Sequence, residues 1–409
     1  MTISNETQNI INLLNPWWSN ADYYIGRPRE KYKKAIVEAI SAKRMLFILG
    51  PRRVGKTTLI FQVISELISE NCVDPSKILF LSLDNPALDN VDLQSYISVS
   101  RKFEYIFLDE IQYKGDWQIY LKVLFDNPSK KFKLICSGSA SSLISDMSSY
   151  LTGRSTRIVI DTLNYEEFKK FNSKNPNVEN YLEVGGYPEY VLERSPNYLN
   201  ELFRDIVMKD IVSQFKISRS EYFYEIASLL AKQVGFGNSF NKMANVTGIT
   251  DDTVKTYTEY LTRTYVVNSV MKYSRSLNDR IYSARKFYFY DLGMRNSFVG
   301  FEDIGALAEN AVYLKLQQKY GEDSIFYLKT TNNQEVDFIV VNKDKAILVE
   351  VKYIALKPAI IQGLSQLFFK DIHSLDITER IVITKGLSVK ETIKSKEIQF
   401  ISLEEFLLS

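Results

Sequence analysis

Histidine is almost absent from this 409-residue chain, whose one imidazole belongs to His373. A single histidine excludes histidine triads, His-rich zinc sites and nucleases that use a pair of histidines, because each of these needs more than one imidazole. His373 itself is expected at the surface. Cysteine is nearly as scarce, and Cys72 and Cys136 both lie in or beside apolar stretches. Two such residues imply no disulfide framework.

Long apolar runs are also lacking, and none approaches the roughly 20 residues that a membrane-spanning helix needs. Residues 1–20 have no basic flank followed by an apolar core, so we expect no secretory signal, no membrane partner and a cytoplasmic location. Neither sign of charge dominates, since 51 Lys and Arg face 49 Asp and Glu and leave a net charge of +2. Any nucleic-acid surface must therefore be a local patch.

The rest of the composition, with 45% hydrophobic and 24% charged residues, is that of an ordinary globular protein. A chain of this length can form two to four domains, each with its own core. Apolar runs predict five strands separated by helical patterns, at 45–49, 78–83, 105–109, 132–136 and 157–160. This alternation predicts an α/β fold in which a parallel sheet carries helices on both faces.

The stretch between the first strand and the next helix is the most informative one. It has the form of a complete phosphate-binding loop of the Walker A type, Gly50-Pro51-Arg52-Arg53-Val54-Gly55-Lys56-Thr57, followed by Thr58 in the helix. Backbone N–H groups of such a loop converge on phosphate oxygens at the positive end of the helix dipole. Gly50 and Gly55 allow the tight backbone path, Lys56 reaches the β- and γ-phosphates, and Thr57 binds Mg²⁺. These residues predict a site for ATP and Mg²⁺.

A second motif, in the third strand, fits the first. The segment Tyr105–Glu110 is an apolar strand that ends in two acids, as a Walker B element does. Asp109 is expected in the Mg²⁺ shell, and Glu110 is expected to orient and polarise the attacking water. A buried strand with charges at its solvent end is the alternative. The fourth strand ends at Ser137-Gly138-Ser139, where Ser137 is a candidate sensor of the γ-phosphate, although Ser-Gly-Ser also marks ordinary turns.

Past the sheet, two helical segments are predicted. The first, between Asp161 and Asp210, is broken by Gly185-Gly186-Tyr187-Pro188 and is interpreted as a lid that closes over the nucleotide. The second, from Arg219 to about Lys286, predicts a helix-turn-helix whose second helix is capped by Thr250 and runs to Arg263. The exposed positions of this second helix are expected to be Thr253, Lys255, Thr256 and Glu259. The basic residues of the β wing that follows are expected to be Lys272, Arg275, Arg280 and Arg285.

Two acids at the start of that second helix, Asp251 and Asp252, oppose DNA binding. A winged helix can also act as a rigid spacer or as a protein contact. DNA contact and these alternatives both stay open at this point.

The C-terminal segment carries a third constellation. Strands at about 324–329, 334–341 and 346–352 follow a helix that contains Glu309. Their register puts Asp337 opposite Glu350, with Lys352 on the same face as Glu350. Facing carboxylates repel unless a cation or a proton lies between them, and Mg²⁺ accepts such an oxygen cage while a lysine activates water. This is the arrangement of the PD-(D/E)XK nuclease fold; an accidental, solvent-facing acid–lysine pair is the alternative.

With these motifs in place, nearly the whole chain resembles the AAA+ ATPases that carry a DUF4143-type C-terminal region. The remaining signatures of the resemblance are Leu151-Thr152-Gly153-Arg154, Tyr181-Leu182-Glu183-Val184-Gly185-Gly186-Tyr187-Pro188-Glu189, Asp205-Ile206-Val207-Met208-Lys209-Asp210-Ile211 and Tyr290-Asp291-Leu292-Gly293-Met294-Arg295. One departure is Thr162-Leu163-Asn164-Tyr165, where relatives often have Pro-Leu-Ser-Phe.

The resemblance implies ATPase activity and a layout of four parts. These are an AAA+ P-loop core at 1–162, a helical lid at 163–218, a winged helix-turn-helix at 219–288 and a PD-(D/E)XK nuclease-like domain at 289–409. Arg154 is the position most like an arginine finger or sensor, acting in cis or in trans, and a surface salt bridge is its alternative. A finger that acts in trans requires an oligomer.

Three functions follow from these predictions. The first is Mg²⁺-dependent ATP hydrolysis coupled to DNA binding or remodelling through the C-terminal modules. The second is an ATP-gated Mg²⁺ nuclease that uses Asp337, Glu350 and Lys352. The third is an ATP-dependent switch that controls a protein partner and keeps the nuclease-like module as a silent scaffold.

Overall fold

A computed structural model gives the structure of the chain. It describes residues 5–19, 21–88, 97, 103–127, 132–139, 151–172, 174, 176–372 and 375–409. His373, expected at the surface, lies outside these ranges. The chain forms two compact units, Met1–Asp161 and Thr162–Ser409. Within the described ranges, no helix is both long and apolar enough to cross a membrane.

The first unit is an α/β layer structure. Its described helices are α1 (Asn5–Leu14), α2 (Glu30–Ile40), α3 (Lys56–Ser69) and α4 (Trp117–Asp126). Its strands are β1 (Met45–Leu49), β2 (Ile78–Ser82), β3 (Tyr105–Asp109), β4 (Lys133–Gly138) and β5 (Ser155–Val159). The five predicted strands are confirmed; β1 and β3 have the predicted ends, and the ends of the other three differ by one or two residues.

All five strands pair in parallel, in the order β2-β3-β4-β1-β5. Helices cover both faces, as predicted. On one face the rings of Phe47 and Trp117 of α4 lie 6.0 Å apart. On the other face Phe61 of α3 packs on Phe80 of β2, with ring centroids 5.0 Å apart. Because parallel strands end at the same edge, the residues after β1, β3 and β4 are brought together there.

The second unit is larger and mixes helices with a second sheet. Its helices are α5 (Tyr165–Phe171), α6 (Val178–Val184), α7 (Pro188–Glu193), α8 (Tyr198–Asp205), α9 (Glu221–Lys232), α10 (Phe240–Thr247), α11 (Asp251–Arg263), α12 (Leu277–Tyr282), α13 (Leu292–Val299), α14 (Ile304–Tyr320), α15 (Lys357–Gln362) and α16 (Leu403–Leu408). A π-helical stretch, Ile206–Val212, and a last turn, Ser213–Phe215, prolong α8.

The strands of the second unit form one mixed sheet in the order β12-β13-β11-β10-β9-β8-β6-β7. Their bounds are β6 (Val267–Lys272), β7 (Lys286–Phe289), β8 (Ile325–Lys329), β9 (Glu335–Asn342), β10 (Lys345–Lys352), β11 (Asp376–Thr384), β12 (Val389–Ile393) and β13 (Lys396–Ser402). The sheet therefore runs across residue 288, where one domain boundary was predicted. The predicted boundaries at 218 and 288 stay predictions.

The segment interpreted as a lid is helical, as expected, and its closing motion stays a prediction. In the segment Thr162-Leu163-Asn164-Tyr165, which was expected to depart from the resembled family, the Asn164 side chain accepts from the Glu167 N–H at 2.9 Å and caps α5. The Glu167 carboxylate returns the bond to the Asn164 N–H at 3.2 Å. This capping box satisfies helix-end donors, so the departure preserves the start of a helix.

Two signature segments meet at the buried carboxylate of Asp291, which is 2% exposed. It accepts from the N–H groups of Gly186 at 2.6 Å and Met294 at 2.8 Å. Burial raises the pKa of Asp291 to about 6, and the backbone donors act against that rise. A Cβ on Gly185, whose φ is +75°, would lie 2.4 Å from the Asp291 carboxylate, so only glycine fits there. The Gly-Gly-Tyr-Pro segment and the segment around Asp291 are thus held together by hydrogen bonding and close packing.

The predicted helix-turn-helix geometry is present in α10 and α11. The Thr250 hydroxyl accepts from the Thr253 N–H at 3.2 Å and caps α11, as the sequence indicated. In the region predicted as a wing, β6 and β7 pair antiparallel, and the helix α12 lies between them in the chain. Assignment to the winged-helix class and contact with DNA both stay predictions.

Candidate functional site

The phosphate-binding loop joins β1 to α3 at the edge of the parallel sheet. Gly50 has a φ of +144°, and a Cβ there would lie 2.1 Å from the carbonyl oxygen of Ile160. The Ile160 N–H donates to the Leu49 carbonyl at 2.7 Å, which holds the two chain segments this close. The loop then turns through Gly55 into the first turn of α3. This geometry brings loop N–H groups to a helix N-terminus, where a phosphate is favoured.

Two basic residues fix the loop from inside. Lys56 is 5% exposed, and its ammonium donates to the carbonyls of Gly50 at 2.9 Å and Pro51 at 2.7 Å. Arg29, also buried, donates to the carbonyls of Val54 at 3.2 Å and Asp161 at 2.9 Å. Sequence reasoning assigned Arg29 no role at this site. Its role depends on residues distant in the chain, which no local pattern shows.

The other loop residues predicted to bind nucleotide occupy the loop surface and the first helical turn. Pro51 and Val54 are buried, Arg53 is exposed, and Thr58 is half-buried in α3. The Arg52 guanidinium donates to the Tyr113 hydroxyl at 2.9 Å.

The Walker A and Walker B residues meet directly. The Thr57 hydroxyl donates to Asp109 Oδ2 at 2.6 Å, and the Ser137 hydroxyl donates to the other carboxylate oxygen. Asp109 is 2% exposed, and burial raises its pKa to about 6, helped by the charge of Glu110 and opposed by both hydroxyls and Lys56. A hydroxyl oxygen beside a desolvated carboxylate is the donor set that Mg²⁺ accepts while it keeps several water ligands. The residues present therefore fit Mg²⁺.

Glu110 leaves β3 in a left-handed conformation, with φ +52°. Its N–H donates to the Ser137 hydroxyl at 3.3 Å, so the predicted sensor Ser137 contacts the carboxylate of Asp109 and the backbone of Glu110. The amide of Gln112 donates to the Glu110 carboxylate and, at 3.0 Å, to the Ser139 hydroxyl. Sequence reasoning missed the positioning role of Gln112. The one available signal was its place two residues after the acid, in the short 3₁₀ turn Ile111–Tyr113.

Arg154 lies at the start of β5 and forms a two-bond ion pair with Asp126 at the end of α4. The Nε–Oδ1 distance is 2.9 Å and the Nη2–Oδ2 distance is 3.2 Å. The Arg154 side chain is 35% exposed. This geometry matches the salt bridge that the sequence left open, and the role of Arg154 as a finger or sensor stays a prediction.

In the second unit the predicted carboxylates of the C-terminal strands come together. The antiparallel register of β9 and β10 pairs Phe338 with Val349 and leads on to Asp337 opposite Glu350. The Asp337 N–H donates to Glu350 Oε2 at 3.2 Å, and the Val351 N–H donates to Asp337 Oδ2 at 2.8 Å. The Lys352 ammonium donates to Glu350 Oε1 at 2.6 Å. The predicted register and the predicted face of the lysine are thus both present.

Lys286, the first residue of β7, lies among these acids and was not singled out by the sequence. It is 1% exposed, and its ammonium lies 2.6 Å from Glu335 Oε1, 3.4 Å from Glu309 Oε1 and 3.8 Å from Asp337 Oδ1. Burial acts to lower the pKa of Lys286, but the surrounding carboxylates outweigh it and the net shift is upward. No local signal marks such a residue, because its partners are on other elements.

Burial also dominates the titration of two of the acids, Glu309 and Glu350. It raises the pKa of Glu309 to about 7, against the charge of Lys286, and the pKa of Glu350 to about 8, with help from Asp337 and against Lys352. Among the described residues, no group of three or more His, Cys, Asp or Glu side chains is arranged to hold a metal ion. The predicted metal role of Glu309, Asp337 and Glu350 stays a prediction; oxygens of all three side chains accept from protein donors in this structure.

Three family models match successive parts of the chain. Residues 42–169 match an AAA domain (AAA_14), residues 175–304 match a domain of unknown function (DUF8612), and residues 304–406 match another (DUF4143). Two relatives come from Methanocaldococcus jannaschii. Uncharacterized protein MJ1544 is 28% identical over 341 residues, which is 75% of this chain and 74% of the relative. Uncharacterized protein MJ1637 is 24% identical over 439 aligned positions, 93% of this chain and 87% of the relative.

Solved structures show a more distant likeness. The Orc1 protein of Aeropyrum pernix, in complex with DNA, aligns with a TM-score of 0.33 and 14% identity over 72% of this chain and 96% of that one. The AMPPCP-bound DnaA of Aquifex aeolicus aligns with a TM-score of 0.32 and 16% identity over 61% of this chain and 92% of that one.

Proposed function

Since this chain belongs to the AAA+ ATPases that carry a DUF4143 C-terminal region, we propose that its first unit binds and hydrolyses ATP with Mg²⁺. The observation that supports this proposal is the 2.6 Å contact between the Thr57 hydroxyl and the Asp109 carboxylate. It joins the Walker A and Walker B motifs at one edge of the parallel sheet, where phosphate, cation and water must meet.

Each residue of the site then has a role. The loop N–H groups and Lys56 bind the β- and γ-phosphates, and Thr57 and Asp109 hold Mg²⁺. When bound, Mg²⁺ neutralises charge on the phosphate oxygens. Glu110 orients the attacking water and polarises it, and the Gln112 amide keeps that carboxylate in place.

The first experiment measures ATP turnover by the full-length protein with Mg²⁺. We expect turnover that is lost in Lys56→Ala and kept in Lys43→Ala, because Lys56 is buried in the loop whereas Lys43 is exposed outside it. Equal turnover in both variants would contradict the assigned site. Repeating the assay with duplex and single-stranded DNA tests coupling to DNA.

The surface charge of the second unit favours a protein partner over DNA as the coupled macromolecule. On the exposed side of α11, the two cations Lys255 and Arg263 are outnumbered by the three acids Asp251, Asp252 and Glu259. DNA phosphates bind to uncompensated positive charge, which this helix lacks.

Two of the predicted wing cations are also already engaged within the protein. Lys272 pairs with Asp279 at 3.1 Å, and the Arg280 guanidinium lies 5.5 Å from the centre of the Phe326 ring. We therefore infer that the nucleotide state controls a protein partner. Turnover stimulated by DNA would instead select DNA coupling.

Arg154 and Asp126 offer a matched pair of variants. If Arg154 stabilises the transition state as a finger or sensor, we expect Arg154→Ala to lower kcat by more than about tenfold, because arginine fingers contribute strongly to kcat. Asp126→Asn, which breaks the same ion pair but keeps the guanidinium, leaves kcat unchanged. Steady-state ATP turnover checks both variants. A parallel loss in both would assign Arg154 to the salt bridge alone.

A further inference from the structure

We propose that the carboxylate cluster of the second unit is built around the Lys286 ammonium in place of a metal ion. The cluster consists of Glu309, Glu335, Asp337 and Glu350. On this proposal it is an internal ion-pair clasp that ties the β6–β7 hairpin to the C-terminal strands, and it has no nuclease chemistry. The proposal is independent of ATP hydrolysis by the first unit.

The position of Lys286 supports the proposal. Its nitrogen lies within 4 Å of three carboxylates, Glu335 at 2.6 Å, Glu309 at 3.4 Å and Asp337 at 3.8 Å. An ammonium carries three N–H donors, so three acids match its capacity. With a side chain only 1% exposed, the lysine is fully desolvated and depends on these acids for compensation.

The oxygens that a metal would need are already used. Both oxygens of Glu350 accept, from the Lys352 ammonium at 2.6 Å and the Asp337 N–H at 3.2 Å. One oxygen of Asp337 accepts from the Val351 N–H at 2.8 Å, and the other faces Lys286. Mg²⁺ requires oxygens at about 2.0–2.1 Å in near-octahedral geometry, so it would have to displace several of these donors and the buried ammonium.

Groups from every side of the cluster complete the compensation. From β7, the Tyr288 hydroxyl donates to Glu309 Oε1 at 2.7 Å. From β8, Lys329 lies 2.9 Å from Glu335 Oε2. At Gly235, after α9, a Cβ would come within 2.7 Å of Glu309, so the backbone closes that side. The four acids therefore face three lysines and a hydroxyl within the protein itself.

The clasp joins segments that are distant in the chain. Lys286 begins β7, which pairs with β6, whereas its acids come from α14 and β9. A resident lysine therefore couples the hairpin that follows the helix-turn-helix to the C-terminal sheet.

The test counts bound Mn²⁺ by electron paramagnetic resonance in the full chain. Asp109→Asn removes the acid of the nucleotide site, and the double variant Asp109→Asn with Asp337→Asn also changes the cluster. We expect no Mn²⁺ whose binding depends on Asp337, so the two proteins give the same titration. One Mn²⁺ per chain that binds to the first protein and is lost in the second would overturn the proposal.

A second measurement covers the case in which the double variant fails to fold. The thermal unfolding midpoint of Asp109→Asn is compared in EDTA and in excess Mn²⁺. A ligand that binds only the folded state raises the midpoint. Since we propose that the cluster binds no metal, we expect the midpoint to be the same in EDTA and in Mn²⁺. A clear upward shift, or Mn²⁺-dependent DNA cleavage by this protein, would show that a metal competes with Lys286.

Discussion

Glu110→Gln is expected to lower ATP turnover by about 10³-fold while ATP binding is kept. The amide has nearly the shape of the carboxylate but cannot accept a proton from the attacking water. Lys56, Thr57 and Asp109 are unchanged in this variant, so phosphate and cation binding stay intact. The Gln112 amide, which donates to the Glu110 carboxylate, still finds an acceptor in the carbonyl oxygen of the substituted side chain.

The measurement is single-turnover hydrolysis beside equilibrium binding of labelled ATP. Glu104→Gln is the matched control, because Glu104 is an exposed acid next to the same strand and pairs with Lys77 at 2.6 Å. Its turnover should equal that of the unmodified protein. Normal turnover in Glu110→Gln would show that another group, or water alone, carries the proton.

Lys286→Met is expected to reduce the unfolding free energy of the second unit by about 3–5 kcal/mol near pH 8, the usual cost of breaking a buried ion pair on one side. The methionine side chain has nearly the length of the lysine side chain but carries no charge. Glu309, Glu335 and Asp337 would then share a desolvated space without the charge that compensates them.

The loss should shrink as the pH falls toward 5. The pKa of Lys286 is shifted upward in the folded protein. The stability that Lys286 contributes is therefore fully present below its pKa in the unfolded chain and is lost only as the pH rises through its higher folded-state pKa, far above pH 5–8. Glu309 and Glu350 already have pKa values raised to about 7 and about 8. Acid supplies these two carboxylates with protons, and in the neutral form they no longer need the lysine. Burial acts to raise the pKa of Glu335, but Lys286 and Lys329 outweigh it and lower that pKa, so Glu335 stays charged and part of the loss remains at pH 5. A loss that stays constant from pH 8 to pH 5 would contradict the electrostatic role.

The probe must report on the second unit. All three tryptophans, Trp17, Trp18 and Trp117, are in the first unit, so indole fluorescence does not follow the cluster. Hydrogen exchange of peptides from β9 and β10 does. The control is Lys329→Met, whose ion pair with Glu335 is 37% exposed at the lysine and should contribute less than about 1 kcal/mol.

Local patterns predicted those parts of the protein whose causes are local. Four predicted features depend only on neighbours in the chain or across one tight turn. They are the apolar strands, the glycine loop before α3, the Thr250 cap and the β9–β10 register. The sequence also placed Asp337 opposite Glu350 and indicated that a cation or a proton must lie between such acids.

The identity of that cation could not be predicted from the pattern. Lys286 lies in a segment that was predicted to be part of a separate module, and the pairing of β6 with β8, which places both segments in one sheet, is long-range. The role of Arg29 was missed for the same reason, since only the folded chain brings the carbonyls of Val54 and Asp161 near it. Gln112 was missed although the Glu110 carboxylate that it contacts is only two residues away. Where a residue's partners are remote, spacing carries no signal.

The single sheet of the second unit limits how its two matched regions can be exchanged with those of another protein. The two matched regions, 175–304 and 304–406, meet at the first residue of α14, and β6 on one side pairs with β8 on the other. A break there would separate a buried lysine from its acids and open a strand edge. In a chimera that joins residues 175–304 of this chain to the C-terminal region of a relative, Lys286 keeps its compensation only if that region supplies acids at the positions of Glu309, Glu335 and Asp337. The two regions of this chain should consequently be transferred together.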